Sequence, residues 1–492
     1  MTMTHPGLPF AWGIIIWAAM LVVGVWALIA PLKTRYTLRT LSLVNIPTTH
    51  PGLLLSLRII MVGLFLLVIV AGLYGTQIPE RNLATVLTWN VWWAGLVLLI
   101  FFLGSAWCGV CPWDTLATWV VRHNRLNLTV PKRLRNLWPA CLMFIGLTWL
   151  ELGAGITTNP YTTALLALLM VVLATLSLAI FEKKAFCHHF CPIGRTIGFY
   201  AQLAPVELRP LRTDVCADCE SLACYHGSAT TPPCPTQLVM GRLTQNTYCT
   251  SCGNCVQSCP HDNVVWRLRP PGAEAVQHAR PHWDEAWFML MLMALTAFHG
   301  LTMLPLWEQG SLTLARWIGD SGQLFWTFTL GLALALILPL LPYGVAILAT
   351  QRLTHTSWSF RRTFNSMAFV AIPLAFAYHI AHNLNHLLRE HVALGTLLAN
   401  PLGLDTLPLS MLEKHQRHLD MLISQEALYT LQSTLMLFGF ILAVLVIRYR
   451  GVHCFPAATD RLPWRLLPML LFALGATAFH LWLLSQPMIM RM

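Results

Sequence analysis

Ten stretches of apolar residues constrain the fold of this chain more than any other feature. Each stretch is close to the roughly 20 residues that an α-helix needs to cross a bilayer. With 56% hydrophobic and only 10% charged residues among 492, the sequence predicts an α-helical polytopic membrane protein with about ten transmembrane helices. The stretches are 10–30, 53–75, 86–107, 137–153, 162–181, 285–307, 323–348, 364–388, 428–447 and 466–485.

The basic residues predict the orientation of these helices. Every odd-numbered stretch is followed by a short loop rich in Lys and Arg, and such loops usually stay in the cytoplasm. We therefore expect a bacterial inner-membrane protein with both termini outside and with the first stretch kept as an anchor. The net charge of +11 belongs to these loops, so nucleic acid is not an expected partner. The loop residues are Lys33, Arg35 and Arg39, then Arg122, Arg125, Lys132, Arg133 and Arg135, then Lys183 and Lys184, then Arg352, Arg361 and Arg362, then Arg448, Arg450, Arg461 and Arg465.

A polar, cysteine-rich segment separates the first five stretches from the last five. We predict a membrane domain at 1–184, a cytoplasmic insert at 185–283 and a second membrane domain at 284–492, whose outer half is rich in histidine. The insert is too short to bury a large core unaided. Bound metal centres are therefore expected to act as its core, and loss of metal is expected to unfold it.

One cysteine motif in the insert is typical of [4Fe-4S] binding. Its spacing, C-x2-C-x2-C-x3-C-P, requires a tightly coiled backbone, which Ser251, Gly253 and Asn254 permit. The fourth cysteine of such a motif usually serves a second cluster, so a second set of cysteines is expected. The motif consists of Cys249, Cys252, Cys255 and Cys259, and the upstream set consists of Cys216, Cys219, Cys224 and Cys234.

Crossing the two sets, as in two-cluster ferredoxins, predicts two [4Fe-4S] clusters in a small ferredoxin-like insert. One cluster then takes Cys234, Cys249, Cys252 and Cys255, and the other takes Cys216, Cys219, Cys224 and Cys259. A zinc site or free thiols are the alternatives for either set. Two adjacent sets of four cysteines favour clusters, because zinc sites more often pair C-x2-C with a distant C-x2-C or with histidines.

Two further cysteine pairs stand at the predicted inner ends of membrane stretches. Cys108 and Cys111 lie in WCGVCP, and Cys187 and Cys191 lie in FCHHFCP. Each pair places two thiols about one helical turn apart, with a proline behind them. Together they could hold a further thiolate-bound centre or a redox-active pair, or they could be ordinary thiols that orient the helices.

These motifs resemble those of the NapH, NosR and CcoG group of membrane polyferredoxins. The resemblance covers about residues 55–265 and implies that the chain carries electrons in respiration or in the assembly of oxidoreductases. The first motif departs from the group, since two residues instead of three separate Cys108 from Cys111. The chain also lacks a flavin domain like that of NosR and an immunoglobulin-like domain like that of CcoG, so neither set of partners carries over.

Five histidines are predicted in the outer half of the membrane. His379, His382 and His386 are three and four residues apart, which places them on one face of a helix, and His299 and His480 lie in other stretches. Two of His299, His382, His386 and His480 could hold haem b, or imidazole and thioether groups could bind copper. The third interpretation is a hydrogen-bonded cluster that lines a quinone path or a proton path.

Sulfur centres inside and histidines outside predict a membrane-bound electron-transfer protein. Electrons would move between a cytoplasmic donor or the quinone pool and an acceptor at the outer face, within a respiratory or assembly complex. The alternative is a copper-handling or cupric reductase assembly factor, and a third is a cluster-stabilised scaffold. Asp114, Glu151, Glu182 and Asp262 are isolated carboxylates, which we expect to be solvated or interfacial instead of catalytic.

Overall fold

The computed structural model describes residues 4–30, 39–40, 50–122, 126–455 and 462–489. For residues 4, 5, 39, 40, 390–392 and 417–419 it describes the backbone only. Four residues of the predicted basic loops lie outside the described ranges, namely Lys33, Arg35, Arg125 and Arg461.

Each of the ten apolar stretches forms a helix, which confirms the predicted fold class. Eight helices in the described part of the chain are long and apolar enough to cross a membrane. Their bounds are Phe10–Ile29, Pro51–Tyr74, Leu83–Leu103, Pro160–Ile180, Phe325–Thr354, Phe360–Arg389, Gln425–Cys454 and Leu467–Ser485.

The other two stretches are less regular. Trp138–Gly153 is apolar but short, and Trp283–Leu301 is followed after a break by Pro305–Ile318, which turns away by 94°. Pro305 explains the break, because proline is favoured in the first turn of a helix and disfavoured inside one. Trp317 on this second arm is 84% exposed.

Capping residues begin several of the helices. The Asn159 side chain accepts a hydrogen bond from the Thr162 N–H at 3.0 Å, directly before Pro160–Ile180. Ser424 accepts one from the Ala427 N–H at 3.2 Å, directly before Gln425–Cys454. Such caps satisfy N–H groups that the first helical turn leaves without a partner.

The helix Phe360–Arg389, which continues as far as Ala399, lies at the centre of the bundle. Its most apolar window is completely buried, whereas most of Pro51–Tyr74 is not. The central helix packs against Gln425–Cys454, Trp283–Leu301 and Trp93–Leu103, so helices from both halves of the chain share one core. A polar helix is stable there because other helices, instead of lipid, surround its histidines and asparagines.

The insert contains a three-stranded antiparallel sheet. Val264–Leu268 is its middle strand, with Val206–Pro210 on one side and Arg39–Thr40 on the other. Val206 pairs with Leu268, and Arg39 pairs with the same residue from the opposite edge. Arg39–Thr40, which follow the first helix in the sequence, therefore belong to the sheet of the insert.

Short helices complete the insert and its flanks. They are Trp107–Val110, Pro112–Val120, Pro192–Tyr200, Thr213–Ala217, Ala223–His226 and Asn254–Ser258, with Met411–Leu419 and Leu462–Arg465 in the second half.

The first and the last described residues lie side by side, near the N-terminal end of the first helix. Thr4–His5 pairs antiparallel with Met488–Ile489, and the Leu8 N–H donates to the Leu484 carbonyl at 2.8 Å. Ends that are paired lie on the same side of the membrane, as they do in a chain that crosses it an even number of times. The side of the membrane on which they lie stays a prediction, as do the domain boundaries at 184 and 283.

Candidate metal centres

The structure brings together the four cysteines predicted for one of the crossed clusters. They line a cavity of about 390 Å³, and we call Cys216, Cys219, Cys224 and Cys259 the distal group. All four are partly exposed. Asn263 donates twice, from its backbone N–H to Cys259 Sγ at 3.4 Å and from Nδ2 to Cys216 Sγ at 3.3 Å.

The cysteines of the other predicted cluster also lie together. We call Cys234, Cys249, Cys252 and Cys255 the proximal group. Burial raises the pKa of Cys249 to about 12. The pKa of Cys255 is also raised, first by burial and then by the neighbouring charges of the other three cysteines. The Asn254 side chain donates to the carbonyls of Pro232 and Pro233 at 3.2 and 3.3 Å, which holds the loop that carries Cys234 against the coil that carries the other three cysteines.

The backbone around the proximal group coils as its spacing predicts. Ser251 and Gly253 adopt positive φ values of 51° and 84°, and the helix Asn254–Ser258 follows. Glycine tolerates this left-handed conformation at little cost, and Ser251 is held in it by its surroundings. The Ser251 N–H then donates to Cys249 Sγ at 3.4 Å.

The four membrane-edge cysteines also converge, and we call Cys108, Cys111, Cys187 and Cys191 the membrane-edge group. Burial and then the Cys191 charge raise the pKa of Cys108 to about 12. Burial is also the main reason that the pKa of Cys187 is raised, and both Cys191 and Cys111 contribute. Cys111, Cys187 and Cys191 line a small cavity of about 30 Å³.

Close packing joins the membrane-edge group to the proximal group. A Cβ atom on Gly109 would lie 2.8 Å from the Ser251 carbonyl oxygen, so only glycine allows this approach. The hydroxyl oxygens of Ser105 and Ser251 are 2.8 Å apart. The Ser258 hydroxyl donates to the Ala223 carbonyl at 3.0 Å, which holds the helix that carries Cys255 against the helix that carries Cys224. The order of the groups is therefore membrane-edge, proximal and distal.

A buried ion pair stands between the first two groups. Lys184 contacts Asp114, and Cys187 Sγ donates to Asp114 Oδ1 at 3.8 Å. Burial opposes the charge of Lys184, but Asp114, Cys187 and Cys252 raise its pKa above the ordinary value. Asp114 is only 14% exposed and is paired with Lys184, which fits the interfacial alternative of the prediction better than the solvated one. Sequence reasoning also missed Lys184, which it assigned to a basic loop.

No group of three or more His, Cys, Asp or Glu within the described ranges lies close enough to bind a single metal ion. A mononuclear zinc site requires such a group, since all its ligands meet at one ion. In a [4Fe-4S] cluster each thiolate binds its own iron, so the sulfurs stand further apart. The described side chains are therefore not arranged as ligands of one shared ion.

The histidines form a separate buried centre. The ring centroids of His299 and His382 are 5.3 Å apart, and those of His382 and His386 are 5.5 Å apart. The Tyr378 ring stacks on His480 at 4.6 Å. The fifth histidine, His379, is set apart, because its Nδ1 lies 3.1 Å from the Tyr200 hydroxyl.

Several polar atoms of this histidine centre have no hydrogen-bond partner in the described structure. They are Nδ1 and Nε2 of His382, Nδ1 of His480 and the hydroxyl of Tyr378. His382 also lines a pit of about 10 Å³, together with Asn385, Gln432 and Gln486. Glu151 Oε1 lies 3.7 Å from His299 Nδ1, and the Glu151 side chain is 17% exposed. The centre is polar and tightly packed.

Comparisons with known proteins agree with iron–sulfur binding. The chain matches the family described as "4Fe-4S binding domain" over residues 85–131 and 163–204, which contain the whole membrane-edge group. It is 28% identical over 130 residues to the Escherichia coli (strain K12) protein named "Putative electron transport protein YccM". The match covers 26% of this chain and 34% of YccM, so it spans about a third of that relative.

A second relative is the "Uncharacterized protein MJ0750" of Methanocaldococcus jannaschii. It is 25% identical over 189 residues, which cover 34% of this chain and 74% of that protein. No solved structure matches the chain significantly. The chain is therefore a multi-pass membrane protein that carries a 4Fe-4S binding domain, and the matched residues include Cys108, Cys111, Cys187 and Cys191.

Proposed function

We propose that this chain is a membrane-bound iron–sulfur protein of electron transport in which three clusters form a relay. The observation that carries this proposal is the packing of the three four-cysteine groups in series: Gly109 and Ser105 lie against Ser251 between the first two groups, and the Ser258 hydroxyl donates to the Ala223 carbonyl at 3.0 Å between the second and the third. The membrane-edge group lies in the segment that matches a 4Fe-4S binding domain. The similarity to a protein named for electron transport supports the same function.

Twelve cysteines would hold the clusters, four for each. A bound [4Fe-4S] cluster exchanges single electrons at a potential set by its charge, by hydrogen bonds to sulfur and by exposure. The protein provides these influences through N–H donors to Cys191, Cys234, Cys249 and Cys259, at 3.3–3.4 Å. The charges of Lys184 and Asp114 act between two of the groups.

The distal group is the end of the relay at which a soluble redox partner would dock. Its four cysteines are partly exposed, whereas Cys191, Cys249 and Cys255 are buried. We propose that the insert lies in the cytoplasm, as the basic loops predict. The other end of the relay lies at the membrane, where electrons would pass to or from the quinone pool or an acceptor beyond the histidine centre.

Iron content tests the relay. Protein prepared anaerobically is expected to hold about 12 iron atoms per chain, or about 8 if only the insert binds clusters. Changing Cys108 and Cys111 to Ser is expected to remove about a third of the iron. Changing Cys141, which lies outside the three groups, to Ala is the matched control and is expected to leave the iron unchanged. Iron-free protein, or the same iron content in both variants, would contradict the proposal.

Copper handling is the second candidate function. The two unpartnered nitrogens of His382 favour it, because imidazole is a good copper ligand. The described residues contain no converging group of three ligands around His382, which favours electron transfer instead. Stoichiometric copper that is lost when His382 and His386 are changed would favour the copper function.

A further inference from the structure

We propose that a cavity beside Cys111 binds a lipid-soluble quinone, that is, a flat apolar ring with carbonyl oxygens. The cavity has a volume of about 370 Å³ and lies among the helices Pro51–Tyr74, Leu83–Leu103, Trp138–Thr148 and Pro160–Ile180. Pockets for small molecules begin at about 300 Å³ and are usually apolar with a few polar groups. This cavity has the size and the character of such a pocket.

Aromatic rings form much of the wall. The Trp92 ring centroid is 5.6 Å from that of Trp107 and 6.0 Å from that of Trp113. Aromatic rings stack on or pack edge-on against another flat ring. Five tryptophans line the cavity, namely Trp89, Trp92, Trp93, Trp107 and Trp113.

Two of these tryptophans have a buried N–H group without an acceptor. The indole N–H groups of Trp92 and Trp113 are buried without a hydrogen-bond partner in the described structure, and both residues line this cavity. Trp89 differs, because its N–H donates to Thr163 at 3.1 Å. Indole is a donor only, and a buried donor without an acceptor is unfavourable. A ligand with carbonyl oxygens would satisfy both groups.

The local backbone is unusual where the cavity forms. Val86–Trp92 and Trp149–Gly153 are π-helical segments, and each contributes lining residues, among them Trp92 and Glu151. Such segments are rare and frequently mark functional sites. Leu99 lines the cavity and is 47% exposed on the outer face of the bundle, so the cavity lies near the lipid.

Lipid is the competing occupant, and its chemistry fits less well. An acyl chain would fill an apolar space but offers no acceptor to the N–H groups of Trp92 and Trp113. A quinone offers a ring and two carbonyl oxygens. A redox role for a quinone beside Cys111 rests on the electron relay proposed above. The binding of the quinone to the cavity does not.

Binding of duroquinone tests the proposal. Its ring is fully substituted, so protein thiols cannot add to it, and durene is the same ring without carbonyl oxygens. Full-length protein in nanodiscs of quinone-free phosphatidylcholine is titrated with each compound, and quenching of tryptophan fluorescence or calorimetry gives the Kd. Iron is measured in the same samples, so failure of the relay is distinguished from failure of quinone binding.

Conservative variants separate the N–H groups from the apolar wall. Trp92→Phe and Trp113→Phe keep a ring but remove a donor, and each is expected to weaken duroquinone binding by about three- to tenfold. Trp317→Phe, at the exposed tryptophan outside the cavity, is the matched control and is expected to bind normally. Durene is expected to bind more weakly than duroquinone to wild-type protein.

A cavity-filling variant gives an independent result. Gly95 lines the cavity, and nothing lies within 4 Å of a Cβ atom built on it, so Gly95→Phe is expected to fill the space and abolish binding. Gly63→Phe, on a neighbouring helix with equally open surroundings, is the control. Any of three results would overturn the proposal. The wild-type protein does not bind duroquinone, it binds durene as tightly as duroquinone, or both tryptophan variants bind duroquinone with the affinity of the wild-type protein.

Discussion

The sulfur groups and the histidine centre are both buried and polar, yet they relate differently to their surroundings. Backbone N–H groups point at several of the sulfurs, and glycines such as Gly109 allow close approach between the groups. In the histidine centre, both nitrogens of His382 lack a partner in the described structure. The sulfur region is therefore held by hydrogen bonds and close backbone contacts, whereas the histidine centre is held mainly by contacts between rings.

The largest expected effect concerns the proximal group. Changing Cys249 and Cys255 to Ser removes two buried thiols, and the insert is expected to lose its core together with about eight iron atoms, because the distal cluster belongs to the same insert. Limited proteolysis and iron analysis measure both effects. Cys454→Ser is the control, since Cys454 is buried outside the three groups and its thiol donates to the Ser366 hydroxyl at 3.0 Å. A proteolysis-resistant insert without iron would show that the clusters are not its core.

The second-largest effect is expected when the contact between the membrane-edge group and the proximal group is disturbed. Gly109→Ala would place Cβ 2.8 Å from the Ser251 carbonyl, and we expect a loss of about 1–3 kcal/mol in stability. Gly146→Ala is the control, because nothing lies within 4 Å of its Cβ position and alanine favours a helix. Thermal unfolding measures the difference. Equal stability of the two variants would mean that the two groups are not held together by this contact.

Removing the Lys184 charge is expected to have a smaller effect. Lys184→Gln should lower the midpoint potentials of the membrane-edge and proximal clusters by about 60 mV, equivalent to ~1.4 kcal/mol for one electron. The reason is that a positive charge favours the reduced, more negative cluster. Lys183→Gln is the control, and redox titration followed by EPR is the measurement. Unchanged potentials would show that Lys184 only fixes Asp114 in place.

The smallest effect is expected in the histidine centre. His382→Leu replaces a ring without hydrogen-bond partners by an apolar side chain, so stability should change by no more than about 1 kcal/mol. Cluster spectra and iron content should remain those of the wild-type protein. A Soret band in wild-type protein that disappears in this variant would instead identify a haem and remove the contrast between the two regions.

The sequence predicted what depends on local spacing. Ten apolar stretches became helices, and the coil around Ser251 and Gly253 formed as the cysteine spacing requires. Features that depend on tertiary contacts could not be predicted in this way. Nothing near Asp114 in the sequence indicates that Lys184 packs against this aspartate. The tryptophan cavity was missed for the same reason, since its wall comes from four helices. The bend after Leu301 was missed too, although Pro305 marks it.

Magnetic coupling between neighbouring clusters tests the continuous relay most directly. In fully reduced protein we expect EPR signals broadened by spin interaction among three clusters. After Cys108 and Cys111 are changed to Ser, the two signals of the insert should remain, and the proximal signal should become narrower because one of its two neighbouring clusters is gone. Signals that never interact in the wild-type protein, or the lack of any signal that depends on Cys108 and Cys191, would contradict the account.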